Sequence, residues 1–409
     1  MSESLIANEP PKHARVGIVA AGVVSPLGFG LAETTESLRV GRDCISRVTR
    51  FPVEQSRCQT AGQIPDERLT RETPEADRRG QRLHRVARMM IYALGEALRN
   101  DPQFDPELTV VGTTSGGMTF GEEYYRALHR RQRDCRIATL IANYTPQKSV
   151  VDAQEAFGIC APCQVIANAC ASGTNAVGHA FECVRSGRYQ RVLAGGYDAL
   201  SELVFVGFDS LQAATPDKCR PFDQTRNGLV LGEGAAILAL ENFEAAERRG
   251  ANILGEVVGY GISTDNHHLT QPNPSGAGPR DAMRRALESA DLPPSEIDYI
   301  NAHGTATPFN DAAEGKAIME LFSNVPISST KGMMGHSLGA AGAIEAVISL
   351  LALQHQFLPP NINFAKGDAD LNLNIVANGS RPAAVRTVLS NSFGFGGTNA
   401  SVVMRAVAA

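Results

Sequence analysis

The feature that most restricts the fold of this chain is a rhythm of Val-rich, glycine-bounded apolar segments and helix-length segments that occurs twice. The first round comprises Arg15 to Val24, Val86 to Leu98, Leu108 to Thr113, Cys163 to Ala169, Thr174 to Val184 and Arg191 to Ala194. The second starts with Gly255 to Ile262 and passes through a helical Pro279 to Ala290 to the strand Tyr299 to Ala302. It ends with a long helix from about Ser337 to Gln354 and two strands around Val388 and Val402. Continuous apolar runs suit strands covered on both faces, and helices between them supply the crossovers, so the pattern predicts an α/β architecture. A soft boundary falls near Gly250, where the charged helix Phe243 to Arg249 ends on glycine and a new strand begins without a Ser/Pro-rich linker. Halves covering 14–250 and 251–409 are therefore expected to associate as one body. No short-period repeat, heptad or low-complexity tract points to a solenoid or fibre.

A length of 409 residues, 43% of them hydrophobic, is ample for a large core and an enclosed site. With 38 basic against 43 acidic residues and a formal net charge of -5, there is no basic field, and nucleic acid is not an expected partner. The polar, proline-containing start up to His13 has no signal-peptide character, and no stretch reaches roughly 18 uninterrupted apolar residues. A cytoplasmic protein without membrane insertion is the expectation. Eight irregularly spaced cysteines do not form a disulfide framework, so most should be free thiols. The pair in Cys160-Ala-Pro-Cys163 reads as a plain turn with buried thiols, since a lone CxxC is a weak zinc or redox signal, and no metal site is expected.

Reactive chemistry concentrates in four stretches. In Val165-Ile-Ala-Asn-Ala-Cys170-Ala-Ser-Gly, an apolar strand meets a small-residue helix with Cys170 at the turn. Unpaired N-H groups and the positive end of a helix dipole would favour a thiolate there, although a buried structural cysteine is the more ordinary fate of a free thiol. Asn301-Ala-His303-Gly-Thr305-Ala-Thr307-Pro308 places an imidazole just beyond a strand end, where α/β sites assemble. A second imidazole, in Lys331-Gly-Met-Met-Gly-His336-Ser-Leu-Gly-Ala-Ala-Gly342, stands at the mouth of a helix rich in Gly and Ala, whose small residues permit close backbone approach. A single histidine is more often structural than catalytic; two in glycine-flanked turns beside a cysteine elbow form a set. Finally, Ser390-Asn-Ser-Phe393-Gly-Phe395-Gly-Gly-Thr-Asn399 is either a plain Gly-rich hairpin or a source of backbone donors for an oxyanion. It lacks the GxGxxG order and strand-to-helix context of a phosphate loop.

Together with Gly22-Val-Val-Ser-Pro-Leu-Gly28, Arg220-Pro-Phe-Asp223 and Gly232-Glu-Gly-Ala235, these stretches resemble the beta-ketoacyl-acyl-carrier-protein synthases, elongating condensing enzymes of thiolase fold. The resemblance spans nearly the whole chain. It implies two similar halves, each a five-stranded layer between helices in an α-β-α-β-α arrangement, within a homodimer. It further implies that Cys170 carries an acyl group, that malonyl carrier protein loses carbon dioxide, and that His303 and His336 stabilise the enolate. The backbone amides of Cys170 and Phe395 would hold an oxyanion, with Lys331 orienting its neighbours and Phe395 gating the nucleophile. Thr305 and Thr307 match the pantetheine-binding hydroxyls, Thr270 and Phe393 the substrate wall, and Ser115 the base of the acyl pocket, where a small side chain implies room for a medium or long chain. Asp311, Glu314, Glu345 and Asn399 match supporting positions; the acids would fix Lys331 and the helix mouths or bind a monovalent cation. No tightly bound cofactor is implied, since phosphopantetheine arrives on the acyl carrier protein.

Arginines cluster at Arg78, Arg79, Arg82, Arg85 and Arg88, and at Arg126, Arg130, Arg131 and Arg133. Against an acidic carrier protein, Arg82, Arg85, Arg130 and Arg131 are the expected docking residues; a solvated helix face is the plainer reading of such a run. Three rival readings remain open: a non-elongating, chain-length-determining partner in a condensing heterodimer, a Cys-His-Asn hydrolase using Asn399 or Asn168, and a coenzyme A-dependent thiolase. The first should lack the nucleophile, the second fits two separate histidine turns poorly, and the third normally relies on a second cysteine near the C-terminus, where none follows Cys219.

Overall fold

Apolar strands need cover on both faces, and the chain supplies it: all ten residues of Val16–Ser25 are buried, as is every residue of Leu108–Gly112. The computed structural model describes residues 13–73, 83–131 and 135–407. Ten strands frame it. In the first half they are β1 (Val16–Ser25), β2 (Leu108–Gly112), β3 (Cys163–Ile166), β4 (Arg191–Asp198) and β5 (Gly234–Asn242). In the second they are β6 (Gly255–Thr264), β7 (Tyr299–Asn301), β8 (Pro326–Ser328), β9 (Thr387–Gly394) and β10 (Thr398–Arg405). The order across the sheet is β3-β2-β4-β5-β1-β6-β10-β9-β7-β8, with two-residue strands Gly28–Phe29 and Asn374–Ile375 added to it.

That order is one plan used twice. In each half the second strand lies parallel between the third and fourth, while the fourth, fifth and first pair antiparallel. The halves join edge to edge where β1 meets β6 antiparallel, through Val16↔Val257, Gly17↔Glu256 and Ile18↔Gly255. The two five-stranded layers are thus hydrogen-bonded to each other as well as stacked.

Five helices complete the layers: α1 (Arg85–Asn100), α2 (Ser172–Arg185), α3 (Ala277–Ala290), α4 (Pro308–Leu321) and α5 (Ala341–His355). α1 covers β1 and β5 on one outer face, and α3, with α4 against it, covers β6 and β10 on the other. α2 and α5 lie between the two layers, touching each other and strands of both halves. Every residue of α5 from Ala341 to Leu353 is buried, which explains why it has no polar face. With its preceding turn, Leu338–His355 is long and apolar enough to cross a membrane by length and composition alone, but most of it is enclosed by the fold.

The α2–α5 contact depends on missing side chains. A Cβ on Gly173 would lie 2.7 Å from the Ala343 nitrogen, and one on Gly342 would lie 2.1 Å from Thr174 Oγ1. Each buried Ile, Val or Leu of α5 contributes roughly 1.5–3 kcal/mol, and Gly342→Val would part the helices that bury them.

Local boundaries differ from the sequence pattern where the chain turns. β3 stops at Ile166 instead of Ala169, and the helix expected from Ser337 starts at Ala341 after a single turn, Leu338–Ala340. Cys160 is exposed and Cys163 half-buried, so the expectation of buried thiols in that pair is corrected; both are free.

Candidate active site

Cys170 sits where β3 gives way to α2. Ala169 takes a left-handed conformation, φ 57°, and Cys170 lies in the single turn Ala169–Ala171 that leads into the helix. Ser172 locks the turn, its Oγ accepting from Asn168 N at 2.9 Å and donating to Ala169 O at 2.6 Å. The thiol is 6% exposed. Burial pushes it up to about 11; the Lys331 charge and the backbone N-H groups of Phe395 and Cys170 pull it down, while Asp198 adds to the rise. The donors at the turn do pull towards the thiolate, as the sequence implies, but desolvation outweighs them. Those same two amides, already directed at the sulfur, are placed to receive an oxyanion formed on a thioester carbonyl.

His303 follows β7, and its loop is held from behind by carboxylates. The backbone N-H groups of His303 and Gly304 donate to Glu314 at 2.9 and 2.8 Å, and Asn391 Nδ2 donates to the same carboxylate at 3.1 Å. Asp311 accepts from Ala306 N at 3.2 Å and Phe222 N at 2.7 Å, fixing Ala306 at φ 64°. His336 follows the short helix Lys331–Met334. Leu338 N donates to His336 Nδ1 at 3.2 Å, so in the neutral ring the proton resides on Nε2, which has no protein partner.

The two imidazoles lie nearly perpendicular, centroids 5.3 Å apart, and Phe393 packs 5.7 Å from His303. Burial holds both well below the ordinary histidine value; the Lys331 ammonium reinforces this at each ring, and His336 does so at His303. Both are therefore neutral near pH 7, able to donate an N-H without being strong acids. Lys331 forms a fully buried ion pair with Glu345. Burial pushes Glu345 up to about 7 against the pull of Lys331, and it pushes Glu314 up to about 7 against its amide donors.

Cys170, His303 and His336 line one cavity of about 250 Å³. Thr305 and Thr307, their hydroxyls 2.9 Å apart, stand on its wall with Phe393. Phe395, half-buried, stacks on Phe208 with centroids 5.6 Å apart.

The chain has matches among known proteins. The family description "Beta-ketoacyl synthase, N-terminal domain" matches residues 13–246, and "Beta-ketoacyl synthase, C-terminal domain" matches 254–365. The chain belongs to the beta-ketoacyl synthase family. It is 35% identical to 3-oxoacyl-[acyl-carrier-protein] synthase 2 of Synechocystis, over 96% of this chain and 98% of that one. Among solved structures, the ishigamide ketosynthase/chain length factor superposes with a TM-score of 0.90 at 33% identity, covering 97% of this chain and all (100%) of that one. A type II polyketide ketosynthase in complex with its acyl-carrier protein, bound to the hexaketide, gives 0.86 at 28% identity, covering 97% and 100%.

In this ketoacyl synthase the other residues singled out from sequence fall into distinct places. Thr270 and Asn399 reach the cavity, Asn399 Nδ2 donating to Asp265 Oδ1 at 2.9 Å. Lys331, Asp311, Glu314 and Glu345 do not line it; they stand behind the residues that do. Ser115 is corrected: it does not line this cavity, and its hydroxyl and amide are both engaged by Asp198. Arg85 is corrected as a docking residue, because its guanidinium is buried in pairs with Glu233 and Asp66. Arg130 and Arg131 are exposed, whereas Arg78, Arg79, Arg82 and Arg133 lie outside the described residues.

Among the described residues no group of three or more His, Cys, Asp or Glu could hold a metal. Deeper in, the Asn301 amide and Ser390 Oγ are buried without partners, and the two residues lie opposite each other in the β7–β9 ladder. A water could be held there. Sequence reasoning missed three neighbours of the reaction centre: Asp198, Asp265 and Phe208. Asp198 alone carried a signal, an acidic residue closing an apolar strand after Gly195-Gly196.

Proposed function

We propose that this chain is a 3-oxoacyl-[acyl-carrier-protein] synthase that extends acyl chains by two carbons. In the first half-reaction the Cys170 sulfur bonds to the acyl carbonyl carbon and the bond to the phosphopantetheine sulfur breaks. The thiol proton leaves with the departing pantetheine thiol, while the Cys170 and Phe395 amides hold the transient oxyanion. In the second, the malonyl carboxylate departs as carbon dioxide and its bonding electrons form an enolate beside His303 and His336. That carbon attacks the acyl-cysteine, releasing a 3-oxoacyl thioester and returning the thiolate, which regains a proton.

One observation carries this reading: a nucleophilic sulfur and two neutral imidazoles converge on one cavity. Neutral N-H donors stabilise an enolate that an imidazolium would protonate and waste. A silent chain-length subunit has no use for this set. The alternative of a non-elongating partner is disfavoured on the same ground.

Acyl carrier protein is the proposed partner, with Arg130 and Arg131 as exposed cationic contacts beside the Met118–His129 helix. β3 ends the main sheet with half-exposed residues and no strand beyond it among the described residues, which suits pairing with an identical or related chain. A cytoplasmic setting and the absence of a resident cofactor complete the proposal; phosphopantetheine comes with the carrier. Intact-mass measurement after incubation with acyl carrier proteins of several chain lengths, followed by malonyl carrier, tests it. The native chain should gain and then lose an acyl adduct that Cys170→Ala never acquires, and a native chain that stays unmodified would overturn the assignment.

A further inference from the structure

Asp198, the last residue of β4, is fully buried and outside the cavity, yet it accepts hydrogen bonds from both the loop after β2 and the turn after His336. Its Oδ1 accepts from Thr113 Oγ1 at 2.8 Å, Ser115 N at 2.8 Å and Ser115 Oγ at 2.7 Å. Its Oδ2 accepts from Thr114 N at 2.8 Å and Gly339 N at 2.7 Å. The first group belongs to the loop after β2, whose Thr114 hydroxyl donates to Ala169 O at 3.2 Å, one residue before the nucleophile. The last belongs to the turn after His336, next to Leu338, whose amide sets the imidazole tautomer.

These two segments come from opposite halves of the chain and pack backbone against backbone: a Cβ on Gly339 would lie 2.5 Å from the Thr113 carbonyl carbon. A carboxylate is the group the junction requires. Three of its five donors are backbone amides that cannot turn away, so an amide in its place must direct an NH2 at either Ser115 N or the pair Thr114 N and Gly339 N.

We propose that Asp198 is a positioning residue that holds the Cys170 elbow and the His336 turn in one register, so that acyl loading and decarboxylation depend on the same buried carboxylate. It touches neither substrate nor reacting atoms and acts through the two loops. The proposal rests on the condensing reading for its kinetics, but the reactivity of Cys170 can be read without any carrier substrate. Two charged groups bear on that sulfur, Lys331 from the second half and Asp198 from the first.

The test compares D198N with the double variant T113V/S115A, which keeps the carboxylate and removes two of its donors. In D198N, self-acylation from acyl carrier and decarboxylation of malonyl carrier should each slow about 100-fold, with KM for malonyl carrier within about twofold. The pH profile of Cys170 alkylation by iodoacetamide should move to lower pH, because the Asp198 charge that raises the thiol through space is gone. T113V/S115A should slow both half-reactions together by about tenfold, with the alkylation profile in place. Loss of one half-reaction alone, an unmoved alkylation profile in folded D198N, or a T113V/S115A enzyme at full rate in both steps would overturn the proposal. If D198N does not fold, the double variant decides.

Discussion

The two halves share strand order and pairing but not chemistry. The loop after β2 carries Thr113, Thr114 and Ser115 and no reactive group, whereas its counterpart after β7 carries His303, Thr305 and Thr307. The connection from β3 into α2 holds the nucleophile; its counterpart between β8 and α5 holds Lys331 and His336. Each half supports its loop with a buried carboxylate, Asp198 on one side and Glu314 on the other. What the difference teaches is that the fold provides equivalent positions at strand ends, and that on the proposed reading the residues placed there divide one reaction between a sulfur nucleophile and an imidazole pair.

Exchanging the damage between halves gives the largest effect. Cys170→Ala should abolish loading and with it condensation. His336→Asn should retain loading while condensation falls about 10²–10³-fold, the loss typical of one oxyanion donor. A His336→Asn enzyme that loses loading to the same degree as condensation would mean the halves do not divide the work. Initial rates of adduct formation and of 3-oxoacyl product separate the two outcomes.

The electrostatic contrast is sharpened by titrating the sulfur. With Cys170 near 11, its alkylation rate should keep rising about tenfold per pH unit from pH 7 to 9, about 100-fold below a thiol of ordinary value at pH 7. A plateau near pH 8 would show that the turn's donors outweigh burial after all.

Glu314→Gln tests the second half's support. An amide facing the His303 and Gly304 N-H groups leaves at least one buried donor opposed, costing about 1–3 kcal/mol. Thermal unfolding should register that loss, and condensation should fall more than loading.

The smallest effect is a pH dependence of stability. Both histidines are neutral in the fold, held below their ordinary value of 6.5. Above that pH neither state binds the extra proton and their contribution is flat. As pH falls below it, the unfolded chain takes up protons that the fold refuses, so stability declines by up to about 1.4 kcal/mol per group per unit. Replacing His336 by Asn removes one such group. The stability gap between native and variant, measured by urea unfolding at pH 7 and 5.5, should shift in the variant's favour by about 1 kcal/mol.

Local order decided what could be recognised from sequence. β1, α1, α3 and the paired C-terminal strands were legible because apolar runs and helical spacing are properties of neighbouring residues. Cys170, His303 and His336 were legible because each sits in a glycine-rich turn at a strand or helix end. Ser115 and Arg85 were misplaced for one reason: each has its polar group claimed by a carboxylate distant in the chain, Asp198 and Glu233 respectively, and spacing does not show distant partners.

The chain's order of apolar segments, small residues and reactive side chains determined the doubled α/β plan and the identity of the nucleophile and its two imidazoles. Only the tertiary structure decided their states. The protonated sulfur, the neutral rings, the Nε2 proton of His336 and the clamp at Asp198 all arise from burial and from groups brought together across the two halves. Desolvation and charge act through space, and their sign depends on neighbours that no single stretch of sequence contains.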